Sequence, residues 1–596
     1  MSKIVSTASP SIYKIQKWLG LNETPDGDTA IEMGEAAVMR NFRITREAHL
    51  QIRPGYGAIA TLSAGKPVRG MWEGYIAGTH HVVAACDGHL YDVSVSGGTT
   101  KDLGSIGATE EAVSFFGFAK QLYILTGADY YVWDGGAESA PKQVEGYIPV
   151  VVTAVPPAGG GTLLEGVNQL TGKKRAQYSP DGTSTAFQLP EKNVDEVLEV
   201  KGTDKTWTLD KANGKVNFAS APAKGTNTVT ITWRKGDGDR ETVTKMRFAE
   251  LYNGTSDNRV FLYGDGTNRA IYSGLDELGQ PSAEYFPSLN QVGVDSANTP
   301  ITAMIRHYDR MLIFKTDSAY SMSYSTIDAN GLTQAAFYVS SLNRAIGNAA
   351  PGQARLVENA ARTVFERSVY DWALASNSTR DERNAVRVGD KVATTLGSFD
   401  LSKCICCDDE WNQEYYIFCD GQAVVQSYAN KVKPWWYYTD LPVTAAVALD
   451  GALYFGTPDG RIMEFSRKYR SDDKQPIDAY WESGSMAFDM DWKRKYSSMI
   501  WVAIKPENQA LIYATASSNL KSGYPEKLIA CGLSNFLNVD FKHWSFGVNR
   551  KPQNIRAKLK VKKATYYKLI LHNKSASATA TVLSVDFQVR YTGNVK

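Results

Sequence analysis

Short runs of β-branched and aromatic residues alternate with turns rich in glycine and aspartate along this chain. In residues 121–136, an apolar run at 122–125 is followed by a Gly-Ala-Asp turn at 127–129 and an aromatic run at 130–133. β-Branched and aromatic side chains fit a half-buried pleated surface, and a Gly/Asp pair supplies the turn backbone. The pattern predicts a β-hairpin.

Six further segments share this pattern, so seven hairpins are predicted. Their start-to-start steps are 41, 138, 51, 52, 52 and 38 residues, and removing an inserted block of 89 residues shortens the long step to 49. A period of roughly 40–50 residues, at four short strands per unit, is typical of β-propeller blades. The six other hairpins are expected at residues 80–94, 259–274, 310–324, 362–374, 414–428 and 452–465.

The predicted fold is therefore all-β, a β-propeller of six to eight blades with two added domains. Stacked sandwiches made of unrelated hairpins are the alternative. Alternating runs and an Asn213-Gly214 turn predict a small β-sandwich in the inserted block, and strong alternation after residue 476 predicts a C-terminal β-sandwich. The expected boundaries are 1–70 (leader and first propeller strand), 71–146 (blades), 147–235 (insert), 236–470 (blades) and 471–596 (C-terminal platform domain).

Composition narrows the functional classes. The 596 residues are 43% hydrophobic, enough for several cores, and the formal charge of +2 creates no global field for nucleic acid. The sequence contains no apolar run of 18 residues, so no membrane span is predicted. The first 20 residues also lack the apolar stretch of a secretory signal. Cys404, Cys406 and Cys407 are closely spaced, but no matching His or second Cys pair accompanies them. Free thiols in a reducing compartment, without metal or cofactor, are expected.

The leader carries the most specific local motif. A turn is expected at residues 25–28 and a short helix over 32–42, followed by a strand at 42–44 and an Arg-Pro-Gly-Tyr segment. This succession resembles the opening of the tail-tube nozzle, or stabilisation, proteins of short-tailed (podovirus-type) bacteriophages. The matched positions are Arg40, Asn41, Phe42, Gln51, Arg53, Pro54, Gly55 and Tyr56.

The resemblance implies a structural virion protein and not an enzyme. Nozzle proteins form rings, usually of six copies, whose propeller and platform surround and close the distal DNA-exit channel of the tail. The resemblance also implies assembly in the host cytoplasm and contacts with the head-to-tail adaptor and with tail fibres or spikes. DNA would pass through without sequence-specific binding. The insert at 147–235 resembles small attachment domains of other tail proteins, which implies a contact with the host surface.

Two basic clusters lie in the C-terminal domain, and alternation places the second on one face of a single strand. That face is expected to meet DNA phosphate, an acidic subunit or only water. A third cluster, at residues 431–440, sets four aromatic side chains beside lysines; it predicts a buried strand, with a stacking platform as the alternative. The basic residues are Lys493, Arg494 and Lys495, in a turn, and Arg556, Lys558, Lys560 and Lys562.

Two other functions compete with the structural one. A surface adhesin would hold a host glycan on the propeller or the insert. A propeller glycoside hydrolase would need two carboxylates about 5–10 Å apart in a central pocket. The acids sit at turns and strand ends, and the sequence has no catalytic triad, phosphate loop or HExxH motif. The carboxylates to test are Asp92, Asp134, Asp265, Asp309 and Asp371.

Overall fold

Nearly all of the regular secondary structure that the structure describes is β-strand. The computed structural model describes residues 9–24, 31–252, 258–329, 332–373, 384–507, 509–531 and 551–595. Strands hold 52% of the residues and helices 3%, so the all-β prediction is confirmed. The turn predicted at residues 25–28 lies outside the described residues.

The leader contributes six short strands. The helix predicted over residues 32–42 is wrong, because residues 35–40 form a strand that pairs with residues 480–483. These distant partners bury Ala36 and Met39, and tertiary pairing outweighs the helix propensity of Glu, Ala and Met. The strands are β1 (Ser11–Ile15), β2 (Gly20–Leu21), β3 (Glu35–Arg40), β4 (Phe42–Ile44), β5 (Leu50–Ile52) and β6 (Gly55–Thr61).

Two antiparallel sheets of four strands follow the leader. Within each sheet, every strand pairs with its neighbour in sequence. Sheet 1 contains β7 (Val68–Ile76), β8 (Thr79–Cys86), β9 (His89–Ser94) and β10 (Thr99–Ser105). Sheet 2 contains β11 (Ser114–Phe118), β12 (Gln121–Leu125), β13 (Tyr130–Trp133) and β14 (Lys142–Gln143).

The insert has a core of its own, built from residues between Val151 and Trp233. Its strands are β15 (Val150–Val155), β16 (Thr162–Leu163), β17 (Lys173–Tyr178), β18 (Ala186–Gln188), β19 (Glu196–Lys201), β20 (Trp207–Asp210), β21 (Lys215–Phe218) and β22 (Val229–Arg234). They form a five-stranded sheet, β16-β15-β17-β22-β19, and a three-stranded sheet, β18-β21-β20. The alternating runs predicted in the insert, at residues 186–189, 194–201, 206–209, 215–218 and 227–233, correspond to β18–β22.

Helix α1 (Arg240–Thr244) leads into three more four-stranded sheets and then into four strands, which we call sheet 6, that begin a ten-stranded sheet. Sheet 3 contains β23 (Phe248–Tyr252), β24 (Arg259–Tyr263), β25 (Arg269–Tyr272) and β26 (Gln291–Gly293). Sheet 4 contains β27 (Ile301–His307), β28 (Arg310–Lys315), β29 (Ala319–Ala329) and β30 (Leu332–Asn343). Sheet 5 contains β31 (Arg355–Val357), β32 (Ala360–Phe365), β33 (Ser368–Trp372) and β34 (Ala385–Arg387). Sheet 6 contains β35 (Ile405–Asp409), β36 (Glu414–Cys419), β37 (Gln422–Ser427) and β38 (Trp435–Tyr438).

Short helical turns connect sheets 5 and 6. They are a 3-10 turn at Asp390–Val392, helix α2 (Ala393–Leu396) and a second 3-10 turn at Leu401–Lys403. Sheet 7 contains β39 (Ala445–Leu449), β40 (Ala452–Gly456) and β41 (Arg461–Ser466). Its fourth strand is β6, which pairs with β41. A strand from the start of the chain therefore completes the last sheet.

All seven predicted hairpins are present, and each forms the two middle strands of one of these sheets. The first strands of successive sheets contact one another, from β7 through β11, β23, β27, β31 and β35 to β39, and β39 contacts β7. Separate hydrophobic clusters fill five of the spaces between neighbouring sheets, and the largest cluster contains buried residues of sheets 5, 6 and 7. The contacts thus return to the sheet at which they began.

The remaining strands combine with the leader. They are β42 (Ala479–Ser483), β43 (Lys493–Ile504), β44 (Ala510–Ser518), β45 (Lys527–Cys531), β46 (Gln553–Ala557), β47 (Val561–Ala564), β48 (Tyr567–Asn573) and β49 (Thr581–Asn594). One sheet has the order β4-β5-β49-β43-β46, with β1 on β49 and β47 on β43. A second sheet continues sheet 6 from β38 through β3 to β42-β48-β44-β45, with β2 on β3. We call the strands β1–β5 and β42–β49 the terminal body.

This pairing changes the expected organisation at both ends. A leader that only feeds the first blade is wrong: β1 and β5 pair with β49, β3 pairs with β42, and β6 pairs with β41 of the last sheet. Among the described residues after 470, β42 and β49 therefore share their sheets with leader strands, and the C-terminal strands do not form a separate domain. The long sequence separation of these partners left no local signal for them.

Candidate functional site

The leader motif folds into a buried hydrogen-bond cluster, which we call the clasp (Asn41, Arg53, Thr439, Asp472 and Asp478). Asn41 joins β3 to β4 with φ of 57°, a left-handed conformation that asparagine tolerates better than most residues. Its Nδ2 donates to Thr439 Oγ1 at 2.8 Å and to the Asp478 carbonyl at 3.0 Å. Its Oδ1 accepts from Arg53 Nε at 2.8 Å and from the Thr439 amide at 2.9 Å. The buried amide is therefore fully satisfied.

Arg53 is the centre of the clasp, with a side chain that is 0% exposed. Its guanidinium grips the Asp472 carboxylate through two bonds of 2.8 and 2.5 Å, a bidentate geometry. The remaining donors reach the carbonyls of Pro54 and Thr439. Burial raises the pKa of Asp472 even though Arg53 opposes the shift. All five donors of Arg53 have acceptors, the condition under which a buried ion pair is tolerated.

The other motif positions fasten neighbouring segments. A Cβ at Gly55 would lie 2.1 Å from the Ser471 carbonyl oxygen, so only glycine fits there. Tyr56 donates to the Asp440 carbonyl at 3.0 Å, and burial raises its pKa to about 12. The last contacts are Arg40 Nη2 to Asp478 at 2.7 Å, Gln51 Nε2 to Thr581 at 3.0 Å, and Phe42, which is fully buried.

The clasp joins four parts of the chain: the leader, the end of sheet 6, the segment after sheet 7, and the start of β42. The nearby pairing of Arg40 with Tyr437 links β3 to β38, so one sheet runs from sheet 6 into the terminal body. The side-chain hydrogen bonds of Asn41 and Arg53 all go to other groups of this chain. The clasp therefore fixes the positions of these four segments relative to one another.

The second basic cluster lies on the outer face of the seven-stranded sheet. Residues 556, 558, 560 and 562 are all exposed and alternate with buried residues 557, 559 and 561, so the predicted common face is confirmed. The prediction that these residues lie on a single strand is wrong, because β46 ends at Ala557 and β47 begins at Val561. Both strands pair with β43. The cross-strand neighbours on this face are Trp501 with Arg556 and Asp586, and Tyr496 with Lys562 and Arg590.

The first basic cluster does not lie in the turn that the sequence predicts. Lys493 and Arg494 open strand β43 and are half-buried. Lys495 is 2% exposed, and its Nζ donates to the carbonyls of Met490 at 2.6 Å and Thr565 at 2.8 Å. Burial lowers the pKa of Lys495. Lys495 therefore cannot face DNA or a partner.

The five carboxylates considered for catalysis are dispersed. Asp371 binds Arg362 through two hydrogen bonds, and Asp92 pairs with His81. Asp134 and Asp265 accept hydrogen bonds from their own turns, and Asp309 lies in the turn between β27 and β28. Within the described ranges, no group of three His, Cys, Asp or Glu side chains is placed to hold a metal ion. Each of the five lies on or beside a different one of sheets 1–5.

Sequence reasoning missed two carboxyl groups whose pKa values are strongly shifted. Burial raises the pKa of Glu250 to about 7 and that of Asp408 to about 7. Glu250 lies on β23 and Asp408 on β35, the first strands of sheets 3 and 6. The available signal was an acid inside an otherwise apolar strand, as in the sequence Phe-Ala-Glu-Leu-Tyr. The aromatic run at 435–438 is a buried strand, which confirms that interpretation over the stacking platform.

Comparison with known proteins does not identify the chain. No protein-family model and no curated protein matches it. The computationally designed protein Ika8 aligns with 69% of this chain and 99% of its own, at 12% identity and a TM-score of 0.33. The AfRom2 CNH domain aligns with 69% of this chain and 98% of its own, at 6% identity and a TM-score of 0.34. Likeness at this level assigns neither fold nor function. No helix among the described residues is long and apolar enough to span a membrane.

Proposed function

We propose that sheets 1–7 are the blades of a closed seven-bladed propeller and that the chain is a structural subunit of a phage tail nozzle. The contacts of the first strands, which lead from β7 around to β39 and back to β7, support the propeller. The completion of sheet 7 by β6 supports a closed ring, because a strand from each end of the array is fastened into one sheet. Two β-sandwiches, the insert and the terminal body, complete this architecture.

The observation that carries the structural role is the continuity of sheet 6 with the terminal body. A ten-stranded sheet crosses the boundary, and the clasp locks the same boundary with a buried Arg53–Asp472 pair. Such a joint resists relative movement of the two parts, which is what a wall around an exit channel requires. The motif positions that resemble nozzle proteins lie in or beside this joint.

The proposed assembly is a ring of six copies in the virion, between the head-to-tail adaptor and the tail fibres or spikes. Exposed apolar side chains near the insert support protein–protein contacts, since Leu163, Leu164 and Leu289 are 84%, 57% and 85% exposed. In this arrangement the insert contacts the host surface or a neighbouring tail protein. The function is mechanical, and no catalytic step is proposed.

The cationic outer face of the terminal body is proposed to contact passing DNA through phosphate. Arg556, Lys558, Lys560 and Lys562 are exposed, and in the part of the chain that the structure describes none of them forms an ion pair. Contacts of this kind are independent of sequence and weaken steeply with salt. The contact is suited to guiding a duplex and not to reading its sequence.

The decisive experiment is electron microscopy of the purified chain, alone and mixed with tail extract, together with mass spectrometry of the virions. We expect closed rings of the chain and its presence at the distal end of the tail. A chain that stays monomeric under both conditions and is missing from virions would contradict the proposal.

Glycan binding through the insert is the second candidate, favoured by the self-contained core of the insert. A glycan array probed with the full chain tests it. Binding that persists in a variant unable to form rings would favour an adhesin over a nozzle.

A further inference from the structure

We propose that Cys404 and Cys419 form a latent disulfide site, open in the reduced chain and closed by oxidation. The ladder between β35 and β36 begins with the pair Ile405 and Phe418. Extending this antiparallel register by one position places Cys404 opposite Cys419. Directly opposed residues of an antiparallel pair have Cα atoms roughly 4.5–5.5 Å apart, inside the roughly 4.4–6.8 Å range of disulfides.

The two thiols also point to the same place. Cys404 Sγ donates to the Asp400 carbonyl oxygen at 3.7 Å, and Cys419 Sγ donates to the same oxygen at 3.6 Å. Two sulfur atoms that converge on one oxygen lie on the same side of the strand pair. The register and the shared acceptor are independent observations, and both place the thiols together.

The remaining cysteines lack this arrangement. Cys406 and Cys407 lie opposite Ile417 and Tyr416, so neither has a cysteine across the ladder. Cys86 belongs to sheet 1 and Cys531 to the terminal body. All six thiols are free. Oxidation is therefore expected to select one pair.

The site lies at the margin of sheet 6, beside exposed Ser402 and Lys403 and the turn at residues 420–421. Burial raises the pKa of both thiols, so the reactive thiolates are scarce at neutral pH and oxidation is expected to accelerate as the pH rises. The reduced state thus persists in a reducing cytosol and closes slowly outside it.

Glutathione disulfide suffices as the oxidant. The Cys419 thiolate attacks one of its sulfurs, forms a mixed disulfide and releases one glutathione thiolate. Cys404 then loses its proton and attacks the Cys419 sulfur, which expels the second glutathione thiolate. The two cysteines lose two electrons in total, and one glutathione disulfide becomes two glutathione thiols.

The test starts from the full chain purified under reducing conditions. Thiol titration in denaturant should count six thiols before incubation with glutathione disulfide at pH 8.5, and four afterwards. The intact mass should fall by about 2 Da, because two hydrogens leave, and peptide mapping without reductant should join the peptides that contain Cys404 and Cys419. Dithiothreitol should reverse both changes.

Matched variants separate this site from adventitious oxidation. Cys531→Ser should still form the Cys404–Cys419 link, whereas Cys404→Ser and Cys419→Ser should each abolish it while keeping the melting temperature of the reduced chain within a few degrees. Six thiols that survive both glutathione disulfide and the smaller oxidant diamide would overturn the proposal. A link that maps to any other pair of cysteines would overturn it as well.

Discussion

The insert and the terminal body are both two-sheet units, but they are assembled in opposite ways. The insert builds its core from residues between Val151 and Trp233. The terminal body pairs Ser11 with Val589 and Ala36 with Ser483, partners from opposite ends of the chain. Closing loops of this length costs additional chain entropy, which strong contacts at the junction must offset. The comparison predicts that the insert fails locally, whereas the terminal body fails together with the joint that holds it.

The largest expected effect is at the clasp. Arg53→Ala leaves the Asp472 carboxylate and the Asn41 amide oxygen buried without their main partner, so we expect a loss of about 3–5 kcal/mol in the free energy of unfolding. Hydrogen exchange should show lost protection in β1–β5 and β42–β49 together. Arg40→Ala is the control, because its pair with Asp478 is about one-third exposed, and it should cost less than about 1 kcal/mol. Equal effects of the two variants would break the comparison.

In the insert, Trp233→Ala should produce a loss of about 3–4 kcal/mol confined to that unit. Trp233 is fully buried, and its indole donates to Glu191 at 3.0 Å. Proteolysis should then cut between residues 150 and 234, while exchange protection in sheets 1–7 stays at the level of the unmodified chain. Loss of protection in the terminal body would contradict a self-contained insert.

A third expectation concerns Glu250 on β23, the first strand of sheet 3, which belongs to neither unit. The pKa of Glu250 is near 4.5 in the unfolded chain and about 7 in the folded chain. Between these two pH values, the folded chain therefore holds a proton on Glu250 that the unfolded chain has lost. The stability contributed by this group therefore falls as the pH rises from about 4.5 to 7. Glu250→Gln removes the ionisable group and with it this loss of stability. The variant should have a free energy of unfolding about 2–3 kcal/mol higher at pH 8 and nearly unchanged at pH 4.

Thermal melts at both pH values check this expectation. Glu110→Gln serves as the control: Glu110 is 95% exposed, so loss of its pair with Arg69 should cost less than about 1 kcal/mol. A gain of equal size at pH 4 and pH 8 would rule out the ionisation of Glu250 as its cause.

The smallest effect is expected at the surface of the terminal body. Lys14 pairs with Asp586 at 3.3 Å, with side chains that are 49% and 30% exposed. Lys14→Ala should change the free energy of unfolding by less than about 0.5 kcal/mol, because solvent and salt screen such pairs. Chemical denaturation measures this directly, and a cost approaching that of Arg53→Ala would show that exposed pairs also hold the terminal body together.

Features that depend on near neighbours in sequence were predictable. The seven hairpins follow from alternation and turn residues, as in Leu122 and Trp133, which pair across β12 and β13. The strand at Glu35–Arg40 was not predictable from the sequence, because its partners are the distant residues Glu482 and Tyr480 and its own residues favour a helix. The leader motif could be recognised from its residues alone. Its contact with Asp472 could not be predicted, because only the fold brings these two parts of the chain together.

The pairing of β6 with β41 also has a consequence for biosynthesis. β6 leaves the ribosome about 400 residues before its partner, which at about 5–20 residues per second means a wait of roughly 20–80 s. Throughout that interval the nascent chain carries an unpaired strand edge that a neighbouring polypeptide can capture. Slower translation lengthens that exposure, so yield from crowded polysomes should improve when a chaperone shields the newly made amino-terminal segment.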